Sequence, residues 1–124
     1  MAKFADPTTV LDAALDGVAA SNIQHICSAQ PANYAGIAAV SLGSISMTPV
    51  SNYTKATGDV SGRKVTVAAK TGVSVTTTGT ATHLVLALTT DSTMRFVTTC
   101  ASQAVTAGGT VDIPAWQWEV QNPS

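Results

Sequence analysis

The chain has 124 residues, with six Lys or Arg against seven Asp or Glu and a formal net charge of −1, a length that suits one hydrophobic core rather than two. Charged residues make up 10% of it, against about 25% in a typical soluble domain, so its Thr-, Ser- and Ala-rich exterior is polar yet cheap to desolvate. With Arg63-Lys64 as the only adjacent cations, a phosphate-neutralising nucleic-acid surface is disfavoured; the apolar run Thr82 to Leu88 is far short of the roughly 20 residues a membrane-spanning helix needs.

The first predicted element is a helix. Asp6 is placed to cap it, Pro7 fits its first position, and Val10, Leu11, Ala14, Leu15 and Val18 form an apolar stripe at helical spacing. Asp12 and Asp16 are expected on the opposite face, with Ser21-Asn22 as the stop. So short an amphipathic helix needs a surface to lie on, either its own sheet or a neighbouring subunit. Asp6, Pro7, Asp12 and Asp16 also interrupt the apolar stretch that a secretory leader requires, so the chain is expected to stay in the cytoplasm until assembly or lysis.

Ile23 to Ser28 then reads as a strand and Gln30 to Gly36 as a loop broken by Pro31, Asn33 and Gly36. Ile37 to Met47 reads as one or two irregular strands, and Pro49 to Gly62 as an exposed excursion. Arg63 to Ala69 alternates, with Val65 and Val67 on one face. Lys70-Thr71-Gly72 is read as a turn into Val73-Ser74-Val75, and Thr76 to Thr80 as a bend at Gly79. Ala81 to Leu88 is almost continuously apolar, the pattern of a central strand buried on both faces. Thr90 to Thr93 turns the chain into a strand from Met94 to Thr99. Gly108-Gly109 suits a hairpin turn better than a phosphate cradle. The last strand sets Trp116, Trp118 and Val120 against Gln117 and Glu119. The expected fold is mainly β: a single-domain antiparallel β-sandwich or jelly-roll-like barrel with a short N-terminal helix. Residues 1–22 form an arm and helix, and 23–124 the sandwich.

Few residues invite chemistry. His25 and His83 lie on separate strands without a metal-ligating spacing, and Cys27 and Cys100 read as two buried thiols, or as a disulfide if their strands are neighbours. A triad could be drawn from His83, Asp91 or Asp112 and one of many hydroxyls, but no nucleophile elbow accompanies it. The acids are too scattered for a glycosidase pair. No catalytic, metal or cofactor site and no small-molecule substrate is expected. Trp116 and Trp118 share a face and read as core or subunit interface, with a sugar-stacking platform as the alternative. Tyr34 and Tyr53, placed in loops, read either as contact anchors or as covers over the sandwich ends.

The run Leu11-Asp12-Ala13-Ala14-Leu15, the segment Cys27 to Ala35, Gly58 to Val67, Thr78 to His83 and the ending Val111 to Val120 together resemble a family of small structural proteins of tailed-bacteriophage virions. The likeness runs along nearly the whole chain, through structural motifs that carry no catalytic residues. It implies a virion component, made in the host cytoplasm, of the capsid decoration (cement) type. Its implied partners are the major capsid protein and copies of itself, with no nucleic acid or membrane. In that setting Phe4, Tyr34, Tyr53, Trp116 and Trp118 are candidate interface residues, and the segment through Lys3-Phe4 a docking arm. A tail, neck or fibre component and a carbohydrate-binding module are the alternative functions.

Overall fold

Alternating and β-branched stretches become strands, and pairing them builds two facing sheets. The computed structural model describes residues 6–121, the side chains at positions 7 and 8 excepted. Phe4 and the proposed arm lie outside them. A π-type turn (Pro7–Leu11) leads into helix α1 (Asp12–Ala19). Then come β1 (Ile23–Cys27), a 3-10 turn (Tyr34–Gly36), a one-turn helix α2 (Ile37–Val40), β2 (Ser41–Ser46), β3 (Tyr53–Thr57), β4 (Arg63–Val67) and β5 (Lys70–Ser74). The long strands β6 (Gly79–Leu88) and β7 (Thr93–Val105) follow, and β8 (Thr110–Ile113) and β9 (Trp116–Val120) end the described chain.

One sheet has the order β2-β1-β6-β7, antiparallel throughout. Opposite it lie β3-β4-β9 and the pair β5-β8. Because β4 continues into β5 and β8 into β9 after two residues each, these two sets are successive stretches of one bent sheet. The fold is a mainly-β, sandwich-like arrangement of nine strands among the described residues, with a short N-terminal helix, as expected.

Two inner cores follow from the alternation. Near one end, Ile26, Leu42, Leu84 and Ala81 meet Val73, Val75, Val105, Val111 and Ile113. Near the other, Leu86 meets Val65, Val67 and Tyr53, and the α1 residues Leu15, Val18 and Ala19 close the end. A smaller third cluster (Cys27, Val85, Ala87 and Ile37) lies on the outer face of the four-stranded sheet, where the chain through α2 covers it. This explains the unbroken apolar run of β6: Leu84 and Leu86 point inward, while Val85 and Ala87 point to the cover.

Among the described residues, the sandwich is closed along one side only. Gly43 of β2 bridges to Val75, and the amides of Thr76 and Thr77 donate to the Leu42 carbonyl. A Cβ at Gly43 would run into the Ser74 carbonyl, so this close approach requires glycine. On the other side, β7 of one sheet and β8–β9 of the other are both terminal strands.

Several expectations are corrected. Asp6 does cap, its Oδ1 accepting from the Thr9 amide at 2.8 Å, but Asp12 is buried rather than on a polar face. Arg63 donates to both of its carboxylate oxygens, at 2.8 and 3.3 Å. Val10 and Ala14 of the supposed stripe are exposed. Ile37–Val40 is helical, not strand, because Asn33 caps the preceding turn by accepting from the Gly36 amide. The excursion from Pro49 contains β3. Lys70-Thr71-Gly72 is not a turn but a bulge inside β5, with Gly72 at φ 67°. Gly108-Gly109 makes no hairpin: it carries the chain from one sheet to the other, since β8 pairs with β5 and not with β7.

Candidate interaction site

The open side is where side chains must do what backbone bridges do at Gly43. Along its lower half, Phe96 of β7 stacks on Trp116 (ring centroids 5.6 Å, interplanar angle 24°) and packs at 4.9 Å on Trp118. The Trp116 indole N–H donates at 3.0 Å to Oε1 of Gln24, a β1 side chain with no solvent exposure, whose amide nitrogen in turn lies 3.6 Å from Met47 Sδ. The tryptophans therefore belong to the contact between the sheets, and each is half-buried.

Above the aromatics the seam opens into an apolar cavity of about 190 Å³. Its floor is Ile26, Ala81 and Leu84; Cys100 and Ala101 of β7 form one wall, and Val111 and Ile113 of β8 the other. Burial pushes the Cys100 thiol above its ordinary pKa, so it is a poor nucleophile there. Cys27 lies on the opposite face of the same sheet, fully buried, its pKa raised to about 11. Both are free thiols.

The two loop tyrosines separate. Tyr53 is not a loop residue: it opens β3, is buried, and donates its hydroxyl at 2.9 Å to the Ser21 carbonyl. Burial raises its pKa to about 12. It anchors α1 and offers nothing to a partner. Tyr34 is half-exposed and lines a hollow of about 140 Å³ with His25, Ile37 and Ala38. His25 and His83 are diagonal neighbours on the outer face of their sheet. Their ring nitrogens meet hydroxyls rather than acids: His25 Nδ1 lies 3.0 Å from Ser41 Oγ, and His83 Nδ1 2.8 Å from Thr82 Oγ1. Desolvation holds the His25 pKa below its ordinary value. Among the described residues, no three or more of His, Cys, Asp and Glu gather where they could hold a metal ion.

Besides Val10, which the sequence placed in the apolar stripe, two exposed valines carry no expectation from the sequence: Val50 and Val60. Val50 has φ 66° and is 72% exposed, an uncommon pairing for a β-branched residue. The turn around it is tied by the Val50 amide to the Ala19 carbonyl and by the Thr48 amide to Asn52 Oδ1. Val60 tips the β3–β4 loop, which Glu119 holds by accepting from the Asp59 and Val60 amides, while Asp59 pairs with Lys64 at 2.7 Å. Both valines are thus presented on fastened turns. The proline before Val50 was the one available signal; Val60, between Asp59 and Ser61, had none next to it. No family model, curated protein or solved structure matches the chain.

Proposed function

We propose that the chain is a non-enzymatic structural component of a tailed-bacteriophage virion. Its role is capsid decoration: binding the outer head surface and reinforcing the lattice of the major capsid protein. The setting comes from the likeness of five sequence segments. The contact role rests on Val50, an apolar side chain held outward at a backbone angle that costs a valine energy. A strained, exposed residue on a braced turn is what a preorganised contact requires, because little entropy remains to be lost on docking. The low surface charge supports the same reading, since few ions must leave water when a lattice covers the protein. In this reading the partners are the major capsid protein and copies of the chain, and no nucleic acid, membrane or small molecule is bound.

Purified protein added to phage heads stripped of it should rebind at micromolar concentration and raise their resistance to heat. Val50→Asn and Val60→Asp should each weaken that rebinding at least tenfold. No rebinding would reject the role. A copy number of a few dozen or fewer per particle would move the chain to the tail, neck or fibre.

A further inference from the structure

We infer that β7 is a self-association edge, pairing antiparallel with β7 of a second copy across a two-fold axis near Ser102. From Ala101 to Ala104 four consecutive strand residues are exposed, so neither face of this stretch is covered, and among the described residues nothing pairs with its outer edge. An unpaired strand edge is a template for another strand, and native proteins blunt such edges with charge, proline, bulges or cover.

Other edge strands carry a charge or are covered over part of their length. β3 carries Lys55, tied to Asp16 of α1. β9 carries Glu119, and the upper part of β2 is bridged by Val75 to Thr77. The chain from Phe96 to Val111 has no Asp, Glu, Lys, Arg or His at any of its sixteen positions. That absence selects the occupant. In a two-fold pairing about Ser102 each residue faces the one equally far on the other side of the axis, and a residue on the axis faces itself, so a charge-free edge pairs with its own copy without any like-charge contact. The cavity provides a second, independent reason. Its mouth lies between β7 and β8, with Ala101 and Gln103 on its rim, so a second β7 added to this edge would also cover an apolar opening. A bulge at Cys100 to Ser102, where β6 supplies only Thr82, bends the strand beside the axis and limits the pairing to a short stretch.

The inference is independent of the virion reading, since it concerns the isolated chain in solution. Sedimentation velocity of the full chain between about 10 and 100 µM is expected to show a dimer. Ala101→Lys, at an exposed position, is expected to raise the dimer Kd at least tenfold with unchanged melting. In a Cys100→Ser background, Ser102→Cys is expected to give a disulfide-linked dimer on mild oxidation, and Thr57→Cys on β3 to remain monomeric. A monomer at 100 µM overturns the inference. So does a dimer that ignores Ala101→Lys, or one that cross-links through position 57 and not 102; the cross-link decides the matter should the lysine variant fail to fold.

Discussion

Trp116→Phe tests whether the tryptophans hold the sheets together. Gln24 has no solvent exposure, and its Oε1 accepts one hydrogen bond, from the Trp116 indole. Removing that donor leaves a buried carbonyl unpaired, at about 1–3 kcal/mol. The smaller ring also gives up part of the stack on Phe96, a contact of the kind that contributes about 0.5–1.5 kcal/mol. Together the loss is roughly 2–4 kcal/mol, a large share of the 5–15 kcal/mol that about measures a domain's stability. Adding Gln24→Leu removes the orphaned acceptor, and an apolar pair of similar shape is close to neutral. The double variant should therefore be more stable than Trp116→Phe alone, by about 1–2 kcal/mol. Urea unfolding followed by circular dichroism measures all four corners of the cycle. If the two substitutions simply add, to within about 0.3 kcal/mol, the Trp116–Gln24 bond does not join the sheets.

Stability should fall in mild acid because of His25: its pKa is depressed in the folded state, so the unfolded chain takes up the proton first. The contribution is fully present above pH ~6.5 and is lost as pH drops through the folded pKa; His25→Gln should flatten this part of a melting-temperature profile between pH 7.5 and 5, and an unchanged slope would contradict the assignment. Gly43→Ala should lower stability by about 1–3 kcal/mol, because the new methyl group meets the Ser74 backbone and must part β2 from β5. Hydrogen exchange at the Thr76 and Thr77 amides should rise with it, and normal protection would show the closure to be dispensable. Val50→Asn should stabilise the isolated domain by roughly 1 kcal/mol, since Asn accepts a left-handed backbone that costs most residues about 1–2 kcal/mol; a lower melting temperature would show that the valine contributes packing in the free protein.

The strands were legible where one face is buried, because a period of two survives in the sequence. Val65 and Val67, Val73 and Val75, and Trp116, Trp118 and Val120 each mark a face correctly. Helix α1 was legible in position but not in orientation. Asp12 reads as solvent-facing until Arg63, fifty-one residues later, arrives to pair with it. Tyr53 was hidden among turn residues, and its burial depends on α1 packing across β3. Gly72 and Gly108-Gly109 show the same limit: a glycine announces an unusual backbone angle, but whether it makes a turn, a bulge or a crossing depends on which distant strand is the partner.

The candidate site was half legible for the same reason. The shared face of Trp116 and Trp118 is local information; Gln24 and Phe96, which fix their role, are not. The asymmetry of the sandwich ties these pieces together. Where β2 meets β5, a glycine lets backbones touch, and hydrogen bonds close the side. Where β7 meets β8 and β9, the bulk of Phe96, Trp116 and Trp118 holds the backbones apart, so the aromatics that join the sheets also prevent their edges from pairing. An edge kept from its neighbour in this way must be blunted or used. Glu119 answers for β9, where it is turned to the Asp59 and Val60 amides. From Phe96 to Val111 there is no charge to do so for β7, and a second copy is the simplest complement to an edge that cannot repel itself.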